Sequence, residues 1–156
     1  AVGVSLELIA QGLSALKSYT GRLEATTIKS DIKLIDDSYN ANPNSMLAAL
    51  EVLSLNDGYT IAVLGEMAEL GEHSEDMHKQ LAEYAITTKI NSFYLVGAHA
   101  EMMQALMGSK ARCFQSNHLL GTQLSKELKG GETVLVKGSR SAAMDEVVEL
   151  IKRRAQ

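Results

Sequence analysis

The sequence predicts an α/β fold, an open Rossmann-like doubly wound sheet of six mostly parallel strands with one antiparallel edge strand. Three observations carry this expectation. The short, continuously apolar runs IAVLG, FYLVG and TVLVKG have the make-up of strands buried on both faces. They alternate with segments of helical periodicity, which implies right-handed crossovers between parallel strands. Two extended segments lie ahead of the first crossover, close enough to pair as a hairpin and make one edge antiparallel.

The elements follow in order. Leu6, Ile9, Leu13 and Leu16 sit at helical spacing and predict a helix over Ser5–Lys17, interrupted by Tyr19, Thr20 and Gly21. That interruption is read as the boundary between an appended helix and the main domain. Arg22–Ile28 and Ile32–Asp36 are the extended pair. A helix over Pro43–Leu55 (Met46, Leu47, Leu50, Leu53) leads to a strand at Thr60–Leu64. A helix over Glu75–Thr87, with Ser74 as its cap, leads to Ser92–Val96, and a weaker one over Ala98–Met107 to Ala111–Phe114. Leu119–Leu128 leads to Thr133–Val136, and a last helix over Ala142–Arg154 turns Met144, Val147, Val148 and Ile151 to one side.

Composition narrows the function. The 156 residues suit one compact domain, and 46% hydrophobic with 22% charged residues excludes disorder. No apolar run approaches the ~18 residues of a membrane span. The N-terminus has no basic region and carries Glu7, unlike a secretory signal. A net charge of -4 argues against nucleic acid as the main partner. The single Cys113 cannot form an internal disulfide, which fits a reducing compartment such as the cytoplasm. A first residue other than Met reads as a piece of a longer protein.

In an open α/β sheet ligands lie beyond the carboxyl ends of the strands. Five segments fall on that rim: 36–43, 65–67, 97–99, 115–117 and 137–141. The first, DDSYNANP, ends in an N-cap and a proline at the first helical position. Its carboxylate, amides and ring suit a ribose and a base, with Asp37 accepting from sugar hydroxyls and Tyr39 or Asn40 against the ring. The plainer alternative is a capped turn with Asp36 and Asp37 in solvent. The last segment, KGSRS, gathers hydroxyls and cations before a helix, a setting that favours an anion, unless Ser141 merely caps and the cations are surface charges. Neither GxxxxGK(S/T) nor GxGxxG occurs, so the phosphates of a nucleoside triphosphate need other groups to hold them. His73 and His78, five apart among scattered carboxylates, do not make a metal site, and His99 and His118 read as loop or cap positions. Cys113 reads as a small buried hydrophobe.

Four blocks bring a resemblance. GRLE at Gly21–Glu24, DDSYNANPNSMLAAL at Asp36–Leu50, VLGEMAELGEHSEDMH at Val63–His78 and VLVKGSRSAAMDEVV at Val134–Val148 together resemble the C-terminal domain of the Mur ligases. SYNANP and GEMAELG are similar to the branch that joins D-alanyl-D-alanine to UDP-N-acetylmuramoyl-tripeptide in peptidoglycan synthesis. The resemblance implies a cytoplasmic, ATP- and Mg-dependent enzyme that forms an acyl phosphate, which the incoming amine attacks to give amide, ADP and phosphate. It implies three domains, with residues 1–20 as the terminal helix of the central ATPase domain and hinge and 21–156 as the C-terminal domain. ATP and Mg would be held mainly by the other domains, and this chain alone would be inactive.

The same resemblance implies roles for particular residues. Arg22 lies near the ATP phosphates as the catalytic residue, and Asp37 binds the ribose. Tyr39, Asn40, Asn42 and Pro43 belong to the ATP-binding loop. Glu66, Lys137, Ser139 and Arg140 face the cleft where the amine substrate enters, and this domain supplies no metal ligand. Gly21 stands where some members have a histidine, so no imidazole contact to the nucleotide is expected. Two other classes compete: a phosphoacceptor receiver-like domain, imitated by Asp36, Asp37 and Lys137 but without an aspartate after the middle strand, and a non-catalytic nucleotide-binding module.

Overall fold

The computed structural model describes residues 21–154, so the helix expected at Ser5–Lys17 lies outside the described residues. Strands β1 (Glu24–Ile28) and β2 (Ile32–Asp37) form the antiparallel hairpin, joined by a tight turn at Lys29–Asp31. The alternation then runs α1 (Pro43–Ser54), β3 (Thr60–Leu64), α2 (Ser74–Ala85), β4 (Ser92–Val96) and α3 (Ala100–Met107). It continues through β5 (Ala111–Phe114), α4 (Asn117–Glu127), β6 (Thr133–Lys137) and α5 (Asp145–Arg154). The six strands lie in the order β1-β2-β6-β3-β4-β5, parallel everywhere but at the β1–β2 edge.

The apolar runs are continuous because the sheet is covered twice. Side chains alternate along a strand, so Ala62 and Leu64 of β3, Phe93 and Leu95 of β4 and Leu135 of β6 pack with Met46, Leu50, Leu53, Leu81 and Met103 of α1, α2 and α3. Ile61, Val63, Tyr94, Val134 and Val136 meet Leu120 and Leu124 of α4 and Val147, Val148 and Ile151 of α5 on the other face. Both layers leave the carboxyl ends of β2, β6, β3, β4 and β5 on one rim.

Most boundaries move by one or two residues from the sequence expectation, and three of the differences have a clear local reason. Leu23 has φ 49°, which breaks the extended path expected from Arg22, and β1 starts at Glu24. The last helix starts at Asp145 and not at Ala142, because Arg140–Ala142 form a separate tight turn that Ala143 closes at φ 48°. Ser74 does not cap α2. It is the first helical residue, entered from a tight turn at Gly71–His73, and its hydroxyl is committed to His99 instead. The cap at Asn42 is as expected: its side chain accepts from the Ser45 amide at 2.9 Å, Ser45 returns the bond, and Pro43 opens the helix.

Candidate functional site

The first loop makes one side of a cleft. Asn42 ends it as the cap of α1, and Tyr39 N–H donates to the Gly21 carbonyl at 2.9 Å. Leu23 N–H donates to Asp37 Oδ1 at 3.1 Å. These two bonds clasp residues 21–23 onto the end of β2 and fix where Arg22 emerges. Gly21 allows the close approach: its φ is 76°, and a Cβ there would sit 3.2 Å from Tyr39 Cβ. Arg22, Asp37, Tyr39, Asn40, Asn42, Ser45 and Lys137 then line a cleft of about 390 Å³, walled on its apolar side by Ala48, Ala49 and Val52 of α1.

Lys137 governs the electrostatics of this cleft. It is buried at the end of β6, which pairs in register with β2 so that Lys137 faces Asp37. Its ammonium donates to Asp37 Oδ2 at 2.5 Å and to the Asn40 carbonyl at 2.9 Å. A buried cation is tolerated only when paired and hydrogen-bonded, and here one lysine neutralises the carboxylate and props the turn that follows it. Each Asp37 oxygen accepts one bond from the described residues, and a carboxylate has about four acceptor positions. Asp37 therefore keeps lone pairs for a diol. At the mouth, the guanidinium of Arg22 lies 4.7 Å from the centre of the Tyr39 ring and that of Arg140 5.6 Å from it. Neither arginine has a carboxylate partner among the described residues.

Beside it runs a second arrangement. Gly65 N–H donates to the Lys137 carbonyl at 2.8 Å, and Ser139 N–H to the Glu66 carbonyl at 2.9 Å. The Glu66 carboxylate accepts from Ala98 N–H at 3.0 Å and lies 3.9 Å from His99 Nε2. Ser139 is buried, its hydroxyl 3.2 Å from that of Ser141. Among the described residues, no group of three His, Cys, Asp or Glu converges on a point that could hold a metal ion.

The structure thus brings Arg22, Asp37, Tyr39, Asn40 and Asn42 into one cleft and leaves Pro43 out of its lining, as the first residue of α1. Glu66 and Ser139 meet through backbone on the neighbouring rim. Lys137, grouped with them in the sequence reading, has its side chain in the Asp37 cleft instead, because β6 lies between β2 and β3. The solvated-aspartate alternative does not hold. Asp36 is buried and accepts from both the amide (3.1 Å) and the hydroxyl (2.6 Å) of Ser38. Ser141 does not cap the last helix, since it lies inside the preceding turn. Cys113 is only partly buried against the core. Sequence reasoning missed Ser45 and the Ala48–Val52 wall, which helical spacing from the Asn42 cap would have found. It also missed His78, whose buried role has no signal in spacing. The strand order differs from the 2-1-3-4-5 order of receiver-type modules, and Glu66, not an aspartate, follows β3.

Comparison with known proteins places the chain. A family model described as "Mur ligase, glutamate ligase domain" matches residues 21–140. A UDP-N-acetylmuramoyl-tripeptide--D-alanyl-D-alanine ligase of Escherichia coli (strain K12) is 40% identical over 153 residues, which is 97% of this chain and 34% of that protein. The crystal structure of MurF from Acinetobacter baumannii superposes with a TM-score of 0.86 at 31% identity, over 98% of this chain and 34% of that one. MurF ligase from Thermotoga maritima in complex with ADP gives 0.77 at 28%, over 92% of this chain and 33% of that one. The chain spans about a third of the length of the relatives it matches. No helix among the described residues is long and apolar enough to cross a membrane.

Proposed function

Because the chain belongs to the Mur ligase family, matching its glutamate ligase domain, we propose that it is the nucleotide-closing domain of an ATP-dependent ligase joining D-alanyl-D-alanine to UDP-N-acetylmuramoyl-tripeptide. The observation that carries this reading is the cleft itself: a lysine-propped carboxylate, two arginines without carboxylate partners among the described residues and an apolar wall on one rim. Those are the parts a nucleotide needs. Asp37 accepts from the ribose hydroxyls, with Tyr39, Asn40 and Asn42 around the base, while α1 offers Ala48 and Val52 as apolar contact. Arg22 at the mouth meets the charge that grows on the phosphoryl group as the acyl phosphate forms and is later displaced. The incoming amine enters past Glu66, Ser139 and Arg140. In this reading residues 1–20 are the end of the preceding central domain and the hinge.

ATP is a substrate of this reaction, and Asp37 with its lysine prop suits its ribose. Mg, in this reading, would be held mainly by the other domains of the full enzyme. The setting is the cytoplasm, where UDP-linked precursors and ATP are at hand.

The test is a pair of single variants in the full-length enzyme. A charge-assisted hydrogen bond contributes about 1.5–3 kcal/mol, so Asp37→Ala is expected to raise the KM for ATP about tenfold to a hundredfold. Asp36→Ala, which removes only the bonds to Ser38, should move that KM far less. Equal effects would refute the ribose assignment. A wild-type enzyme that turns over no ATP in response to D-alanyl-D-alanine would refute the activity.

A further inference from the structure

His78 is buried on the first turns of α2, and neither the cleft nor the rim chemistry described above uses it. Its Nδ1 lies 2.7 Å from the Ser74 carbonyl, which can only accept, so Nδ1 carries the proton. Nε2 is then a bare acceptor, and Met67 N–H donates to it at 3.0 Å. Both ring nitrogens are spoken for, in one tautomer. Met67 is itself buried, so without this acceptor its amide would be an orphaned donor, which folded proteins almost never leave.

The position of that bond gives it a consequence. Residues 65–67 leave β3 toward the rim and are held to residues 137–139 by the two backbone bonds of Gly65 and Ser139. Those bonds tie only one side of the segment. The other side is tied to α2 by the His78–Met67 bond, and Glu66 stands between the two attachments. Beyond His78 the next groups are His99, at the start of α3, with ring centres 4.4 Å apart, and the Glu66 carboxylate, 3.9 Å from His99 Nε2.

We propose that His78 is a positioning residue: its unprotonated Nε2 clamps the Met67 amide and so holds the Glu66 segment in the orientation the rim uses for the incoming dipeptide. The identity of that dipeptide rests on the ligase reading above, whereas the clamp rests on geometry alone. Burial, the strongest influence on His78, disfavours its charged form and keeps the acceptor available at neutral pH.

Two substitutions in the full-length enzyme separate the clamp from mere packing. His78→Gln places an amide oxygen where Nε2 stood and keeps an acceptor for Met67, while His78→Asn reaches only the Nδ1 position. The Gln variant is expected to keep the KM for D-alanyl-D-alanine within about threefold of wild type, and the Asn variant to raise it about five- to tenfold, the scale of one hydrogen bond. The KM for ATP should stay nearly constant in both. Equal shifts in the two variants, or a loss of thermal stability with unchanged kinetics, would overturn the proposal. Imidazole nitrogen NMR of the wild-type 156-residue chain decides the clamp without any assay: a lone-pair-bearing Nε2 on His78 at pH 7 supports it, and a protonated one overturns it. Should the Asn variant not fold, that spectrum and the Gln variant decide. An enzyme that ligates no D-alanyl-D-alanine but shows the expected nitrogen signature would sink the ligase reading and leave the clamp standing.

Discussion

At the scale of single residues, the Asp37 cleft hangs on Lys137. Removing one member of a buried pair leaves the other charge unpaired, at a cost of about 3–5 kcal/mol. Lys137→Met is therefore expected to lower the stability of the domain by that order in urea unfolding, and to raise the KM for ATP by freeing the Asn40 turn. A stability equal to wild type would mean that Asp37 is adequately solvated without its partner. Arg22 should behave in the opposite way, since it sits at the mouth and contributes nothing to the core. Arg22→Ala in the full enzyme is expected to cut kcat by about 10²–10³ with the melting temperature unchanged, the effect of losing one charge partner in the transition state. His78 adds a pH dependence. Its pKa in the folded chain lies below the ordinary 6.5, chiefly through burial, so the unfolded chain takes up the proton first. The stability it contributes is present above pH 6.5 and is lost as the pH falls below that toward the folded value. Urea midpoints measured from pH 7.5 to 5 should fall more steeply for wild type than for His78→Gln.

At the scale of elements, what is local was legible and what is long-range was not. Asn42 and Pro43 announce the start of α1 because a cap acts within three residues, and the apolar runs announce β3, β4 and β6 because both sheet faces are covered. The first-loop cluster was legible for the same reason, being contiguous in sequence. The pairing of Lys137 with Asp37 is not legible locally, because the two lie 100 residues apart and meet only through the strand that β6 joins. Ala142 and Ala143 are good helix formers, so their sequence predicts an earlier start for α5 than the turn they form allows. Helix packing supplies a prediction of its own. Gly121, inside α4, faces Leu150 of α5 so closely that a Cβ would meet Leu150 Cδ1 at 2.7 Å and its Cβ at 3.1 Å. Gly121→Ala improves helix propensity by about 1 kcal/mol, yet overpacking of about 1–3 kcal/mol should outweigh it. A higher melting temperature would show that α5 can shift outward freely. On the same side, Arg112 of β5 lies over Tyr94 and Phe114 and binds Glu127 of α4. The hydrogen bonds from Arg112, foremost, hold the Glu127 carboxyl down at about 2. Its contribution is present above the ordinary carboxyl value near 4.5 and is lost progressively as the pH falls from there to about 2, below the range in which His78 acts.

At the scale of the whole molecule, the rim carries one half of a chemistry. It offers a lysine-paired carboxylate and two arginines, but the chain contains no GxxxxGK(S/T) loop to hold a γ-phosphate in line. The 156-residue chain by itself is expected to release no phosphate from ATP, and release above that of a P-loop variant of the full enzyme would contradict the division of labour proposed here. The strand order has a further consequence, for synthesis. Of the six described strands, β6 is the last to leave the ribosome and yet pairs with both β2 and β3, in the middle of the sheet. Until Thr133–Lys137 emerges, the hairpin and the β3–β5 half each present an unpaired parallel edge, the kind of surface that recruits other chains. A nascent domain of this design stays open along its centre line until β6 arrives, like a hull whose keel is laid late. Asp37 meets its lysine at that same moment, so a chain stopped at Glu132 would lack both the closed sheet and the propped carboxylate.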